Sequence, residues 1–134
     1  LIMGAREKEE HFIKHDPKNN IYITTDNDHY GIKGNVLLAL KEILIFLKKN
    51  NLKVFTCGPP GMMFSIADYS KKEKINCDFV LETIMACGVG ICQGCTVIKN
   101  TEVDKNTYRE KYALACVDGP IFNIKEIDNA SFIH

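Results

Sequence analysis

Four cysteines in the second half of the sequence constrain it more than any other feature. Cys87, Cys92 and Cys95 stand in a C-x4-C-x2-C pattern, and Cys116 follows after a further twenty residues. Four thiolates at this spacing are the ligand set of a plant-type [2Fe–2S] centre, with two cysteines to each iron. The close trio has to wrap one inorganic core, so the chain must turn tightly there. The interleaved Gly88, Gly90 and Gly94 suit that need, because a glycine lets backbone N–H groups approach bound sulfur without a Cβ in the way. C-x2-C is also a zinc spacing, and a disulfide pair is a third option. The x4 interval with glycines through it is unusual for zinc, which favours iron–sulfur.

The stretch around these cysteines, residues 83–122, reads as a small module of its own. It is rich in glycine and poor in apolar side chains, so a bound metal core is expected to supply much of its stability. Thr96–Lys99 and Tyr112–Cys116 are expected to form a hairpin arm, with a polar loop from Asn100 to Glu110 between them. Residues 123–134 form a tail whose apolar positions are Ile124, Ile127 and Phe132.

Residues 1–82 carry a different pattern. Leu1–Arg6 reads as the end of a buried strand running into a loop, and Glu7–Lys14 as a short charged helix. Ile21–Thr25 is β-branched and aromatic, a strand signature. Asp26–Gly34 is a polar loop. Asn35 is placed to cap a helix over Val36–Lys49, and Leu52–Cys57 is a further strand. A turn at Gly58–Gly61 leads to a helix over Met62–Lys72, with Met63, Ile66 and Ala67 facing inward. Asn76–Glu82 is extended. Strands alternating with helices at these intervals predict an α/β fold, part of a doubly wound parallel sheet.

Lysine plus arginine and aspartate plus glutamate number 17 each, so the net charge is zero. That balance gives no electrostatic footprint for nucleic acid or an anionic membrane. The apolar run from Val36 to Leu47 is broken by Lys41 and Glu42 and is too short to span a bilayer. With four cysteines assigned to a metal, Cys57 and Cys77 remain as free thiols, which points to a reducing, cytoplasmic setting. The sequence opens in mid-pattern without methionine, as expected of the C-terminal part of a longer chain. His11, His15, His29 and His134 have no ligand-like spacing and are expected in solvent.

Thr56-Cys57-Gly58-Pro59-Pro60-Gly61-Met62-Met63 follows a strand and opens a helix. Parallel α/β sheets bind ligands at the carboxyl ends of their strands, where a Gly-Pro turn exposes backbone to a flat ring. The bland alternative is a tight turn without a ligand, with Cys57 as a buried small residue.

The C-G-P-P-x-M-M turn, the A-C-G-x-G-x-C-x-G-C loop and the A-C-x-D-G-P-x-F segment together resemble the iron–sulfur electron-transfer subunits of bacterial dihydroorotate dehydrogenase. The earlier G-A-R-x-K-E and T-T-D-x-x-x-Y-G-x-K-G segments are similar to the same family, and the likeness runs over about residues 1–127. These subunits belong with the ferredoxin reductases. The resemblance implies an FAD-binding barrel, then an NAD-binding α/β domain, then a [2Fe–2S] module. Only part of the second domain and the whole of the third would lie in this sequence, over 1–82 and 83–122, so FAD would be bound mostly by the missing barrel.

The resemblance also implies roles. Cys87, Cys92, Cys95 and Cys116 would be the cluster ligands. Cys57, Gly58 and Pro59 would face the nicotinamide and flavin, with Gly61 and Met62 just behind. Arg6 would reach a ribose or phosphate and Asp26 the adenosine ribose; a surface salt bridge and an Asx turn are the competing readings. The partner would be an FMN-containing dihydroorotate dehydrogenase catalytic subunit in a heterotetramer, and no residue of this chain would act as a catalytic acid or base. A related group, the flavin subunits of NADH-dependent ferredoxin:NADP oxidoreductases, has a similar turn and a similar C-V-D-G-P segment, but often carries aspartate where Cys87 stands. That group, sulfide-linked oxidoreductases and a zinc-stabilised binding module without redox chemistry are the alternatives.

Overall fold

The structure, a computed structural model, describes residues 1–27, 30–47, 52–100 and 107–128. The fold is mixed α/β and divides into two compact units, Leu1–Asn51 and Leu52–His134.

In the first unit, β1 (Ile2–Ala5), β2 (Tyr22–Thr25) and β3 (Ile32–Lys33) form a parallel sheet in that order. Helix α1 (Val36–Phe46) starts where expected: the Asn35 side chain accepts the Leu38 amide at 3.0 Å. It buries Ala39, Leu40 and Leu44, and Ile23, Thr24 and Thr25 of β2 are buried too. Leu47 is already extended, so α1 ends before the lysines expected to close it, and Lys48 and Lys49 lie outside the described residues.

The charged helix expected over Glu7–Lys14 is a single 3-10 turn, Lys8–Glu10. The Glu10 carboxylate turns back to accept the Arg6 amide at 2.8 Å, capping the start of the turn, but His11 is extended, so the helix does not continue. Two histidines expected in solvent are instead bonded to β2. His15 Nδ1 accepts the Ile23 amide at 3.1 Å, and His11 Nε2 lies 3.1 Å from the Thr24 carbonyl. His29 and His134 fall outside the described residues.

In the second unit, β4 (Lys53–Thr56) pairs in parallel with β5 (Asn76–Val80), and helix α2 (Pro60–Lys72) connects them. Met63, Ile66 and Ala67 face inward as their spacing predicts, joined by Ser70. Phe79 and Cys77 of β5 are wholly buried. Burial raises the Cys77 thiol above its ordinary pKa, which keeps it protonated and unreactive.

Within the tail and the segment before it, β8 (Ile121–Asn123) adds antiparallel to β5, giving a mixed sheet in the order β4-β5-β8. The two three-stranded sheets are separate among the described residues. Asn123 secures β8: its amide donates to Asn76 Oδ1 and to Asp78 Oδ1, both at 2.7 Å, and Lys53 pairs with Asp78 Oδ2 at 2.6 Å. Between β5 and β8 in the sequence lies the hairpin of β6 (Thr96–Ile98) and β7 (Tyr112–Leu114), with the short helix α3 (Tyr108–Lys111) directly before β7. Ile124 and Ile127 are buried, and Phe132 lies outside the described residues.

Candidate metal centre

The hairpin brings the two most distant cysteines together. Thr96 lies opposite Leu114, and the Ala115 amide donates to the Cys95 carbonyl at 3.0 Å. This extends the pairing by one step and sets Cys95 beside Cys116. Their sulfurs lie 3.2 Å apart. A disulfide would need about 2.05 Å. Two sulfurs on one tetrahedral metal with bonds of about 2.3 Å would be separated by about 3.8 Å. The observed gap therefore fits two free thiols set to share one metal after a small opening.

The second pair is held differently. Cys87 and Cys92 are both exposed, on the loop between β5 and β6. The Cys92 amide points at the Cys87 sulfur at 3.4 Å, and Gly94 N–H points at Cys92 Sγ at 3.5 Å. Cys87 also takes hydrogen bonds from the backbone at Val89 and Ile91 and touches the Cys92 thiol. These contacts, the Cys92 amide foremost, hold the Cys87 thiol down at about 6, favouring the thiolate that metal binding requires. Cys116 moves the other way. Its hydrogen bond with Cys95 and its burial raise it, partly offset by the Gly90 amide.

Gly90 shows why the loop needs glycine. Its φ is +80°, and a Cβ there would sit 2.9 Å from the Val117 side chain. The loop thus presses against the turn that carries Cys116. Gln93 is left-handed too, at φ +59°, without being glycine. Its carbonyl accepts the Thr96 hydroxyl at 2.6 Å, and Thr96 in turn lies 3.1 Å from the Tyr108 hydroxyl. Sequence reasoning passed over Thr96 and Tyr108. Thr96 follows a ligand cysteine directly, and that adjacency was the available signal.

Among the described residues, no three or more His, Cys, Asp or Glu side chains converge to hold a single metal ion. The thiols come as two pairs, Cys87 with Cys92 and Cys95 with Cys116. Two thiol pairs are what a two-iron core would take, one pair to each iron. The donor set fits a [2Fe–2S] cluster. Around it the surface is apolar: Met85, Val89 and Val117 are exposed, and Ile84 and Ile91 are 82% and 80% exposed.

The remaining expected residues fall at strand ends. In the second unit, Cys57 directly follows β4 and is exposed, against the buried thiol of the ligand-free reading. Gly58 has φ +146°, with Met62 packed where its Cβ would be, and the Pro59 carbonyl accepts the Met62 amide at 3.0 Å. No atom would meet a Cβ on Gly61 within 4 Å, so that face of the α2 start is open. In the first unit, Arg6 and Asp26 follow the paired residues Ala5 and Thr25, so they stand side by side at the carboxyl ends of β1 and β2.

Comparison with known proteins agrees with the cysteine geometry. Residues 82–128 match the family model described as the iron-sulfur cluster binding domain of dihydroorotate dehydrogenase B. The chain is 33% identical to the probable dihydroorotate dehydrogenase B (NAD(+)) electron transfer subunit of Pyrococcus furiosus, over 98% of its own length and 47% of the relative's. It is 33% identical to the corresponding Archaeoglobus fulgidus protein, over 84% of its length and 43% of that protein's. The Streptococcus pneumoniae subunit is 32% identical over 90% of this chain and 44% of its own. The chain thus spans about half the length of the curated relatives it matches. A chain from the NADH-dependent reduced ferredoxin-NADP oxidoreductase structure superposes with a TM-score of 0.71 at 25% identity, over 98% of this chain and 45% of that one. No helix among the described residues is long and apolar enough to cross a membrane.

Proposed function

We propose that this chain is the cluster-bearing part of a cytoplasmic electron-transfer subunit in pyrimidine biosynthesis, serving an FMN-containing dihydroorotate dehydrogenase catalytic subunit in a heterotetramer. A [2Fe–2S] cluster passes single electrons between flavins, here from FMN of the partner to FAD and so to NAD. Cys87 and Cys92 hold one iron, Cys95 and Cys116 the other. The observation that carries this reading is the pairing of four free thiols on a segment matching the dihydroorotate dehydrogenase B domain.

The backbone amides of Cys92 and Gly94 point at ligand sulfurs, and amides so placed stabilise the negative charge of a bound cluster. The exposed apolar residues Ile84, Met85, Val89, Ile91 and Val117 suit contact with another protein surface, as short-range electron transfer requires. Residues 1–82 are read as part of a doubly wound NAD-binding domain. The parallel pairs β1–β2 and β4–β5 support this, as do the strand-end positions of Arg6, Asp26 and Cys57. In this reading Cys57, Gly58 and Pro59 line the nicotinamide and flavin side, and Gly61 and Met62 back them.

The structural likeness to the ferredoxin-NADP oxidoreductase favours a second reading, a subunit that exchanges electrons with ferredoxin. Cys87 at the first ligand position supports the dihydroorotate enzyme over it.

The test uses the anaerobically purified full-length subunit, FAD-binding part included, together with its FMN partner subunit. The expected result is iron and acid-labile sulfide in equal amounts and dihydroorotate-dependent NAD⁺ reduction that Cys92→Ser abolishes. Dihydroorotate oxidation with an artificial acceptor should survive in that variant. Colourless protein holding one zinc, or NAD⁺ reduction that persists in Cys92→Ser, would overturn the proposal.

A further inference from the structure

Cys116 is the ligand farthest in sequence from the others, and its position depends on the turn it sits in. That turn runs from Leu114 to Asp118. Its backbone closes through Val117 N–H and Asp118 N–H, which donate to the Leu114 carbonyl at 3.0 and 2.7 Å. The Asp118 carboxylate closes it a second time, accepting the Leu114 amide on Oδ2 at 2.7 Å. Successive amides of a strand point to opposite sides. The Ala115 amide goes to the Cys95 carbonyl, and the Leu114 amide goes to Asp118. Cys116 follows directly on these two tethers. One binds it to the other ligand of its pair, and the second depends on a single side chain.

The same turn carries the surface on which the ligand loop rests. A Cβ on Gly90 would meet Val117 at 2.9 Å and Leu114 at 3.5 Å. The Gly90 amide also bonds to the Cys116 sulfur. Any loosening of the turn would therefore displace one ligand and the seat of the loop that bears the others.

We propose that Asp118 is a positioning residue of the metal centre, holding the Leu114–Asp118 turn through the Leu114 amide so that Cys116 and Gly90 keep their places around the cluster. The inference rests on the cluster reading above. It goes beyond it by giving a non-ligand carboxylate a defined task. Asparagine retains an oxygen that can accept the amide, whereas alanine does not.

The test compares wild type, Asp118→Asn and Asp118→Ala, with the nearly isosteric Asp118→Leu as the variant to use if alanine does not fold. Two readouts follow the loaded protein: the electron paramagnetic resonance line shape of the reduced centre, and the rate of iron loss to a chelator. A third, hydrogen exchange at the Leu114 amide, needs no metal. Removing an outer partner of a metal ligand typically weakens metal retention by about 10- to 100-fold. Alanine or leucine is expected to speed iron loss by about that much, alter the line shape and release the Leu114 amide to exchange, while asparagine stays near wild type. If wild type holds iron and sulfide but the alanine and leucine variants match it in all three readouts, Asp118 has no positioning role. An asparagine variant as impaired as alanine also overturns the proposal. Wild-type protein without iron and sulfide would instead bring down the reading of the site itself.

Discussion

Cys95 and Cys116 face each other at 3.2 Å between sulfurs although twenty residues separate them. The β6–β7 hairpin sets that distance, since beyond its last pair, Thr96 with Leu114, the Ala115 amide donates to the Cys95 carbonyl and Cys116 follows directly. Cys95 is 4% exposed, whereas Cys87 and Cys92 lie open on the loop. One half of the site is thus built into a sheet, and the other half is held by loop amides.

Cysteine substitutions should therefore sort by position. Cys116→Ala is expected to abolish iron and sulfide binding, because it removes the thiol that pairs with Cys95 at 3.2 Å. Cys57→Ala, directly after β4, should retain full iron content. Iron and acid-labile sulfide assays on the two purified variants check this, and loss of iron in the Cys57 variant would contradict the ligand assignment.

Gly90→Ala should weaken the loop. A side chain at φ +80° carries about 1–2 kcal/mol of strain, and its Cβ would also crowd Val117. The expected outcome is a cluster that forms but bleaches several-fold faster in air, followed by visible absorbance. An unchanged bleaching rate would show that the loop can move aside without loss.

The β4-β5-β8 sheet should carry an acid-sensitive element. The Lys53 ammonium bonded to Asp78, helped by the Asn123 amide, holds the Asp78 carboxyl below its ordinary 3.8. A depressed folded-state value stabilises the fold above 3.8, and that contribution disappears as pH falls from there through the lower folded value. Lys53→Met should reduce stability at neutral pH and flatten its decline at acid pH. Urea midpoints measured across that range would reveal it; parallel curves for the two proteins would refute it.

Phe79 is wholly buried on the central strand β5, opposite Phe122 of β8. Phe79→Ala should cost about 3–5 kcal/mol, the usual penalty for emptying a core aromatic site. Chemical denaturation of the two proteins measures it, and a loss under 1 kcal/mol would mean that β8 is not packed as described.

What could be read from the sequence were features with local causes. Asn35 capped α1, spacing picked out Met63, Ile66 and Ala67, and the cysteine interval delivered two thiol pairs. What escaped depends on partners distant in the chain. Strand β8 is three residues long, and its identity as a strand comes from backbone pairing with Asp78, Phe79 and Val80 of β5, more than forty positions earlier. The Glu7–Lys14 segment has helical composition, yet His11 is already extended, with its ring 3.1 Å from the Thr24 carbonyl, and the turn stops at Glu10. Gln93 adopts a left-handed backbone that its residue type does not announce, because the Thr96 hydroxyl secures its carbonyl.

The chain leaves β5 at Leu81 and comes back to β8 at Pro120, and the Leu81 amide donates to the Pro120 carbonyl at 3.0 Å. Departure and return points are thus hydrogen-bonded neighbours. The cysteine-bearing stretch enters and leaves its sheet at one point. Past β8 the chain ties back to that stretch, with the Asp128 amide donating to the Ile98 carbonyl at 2.9 Å and the Asn100 amide to the Glu126 carbonyl at 2.7 Å. Insert and sheet are therefore stitched along a second seam, and neither can be exchanged without resetting the other.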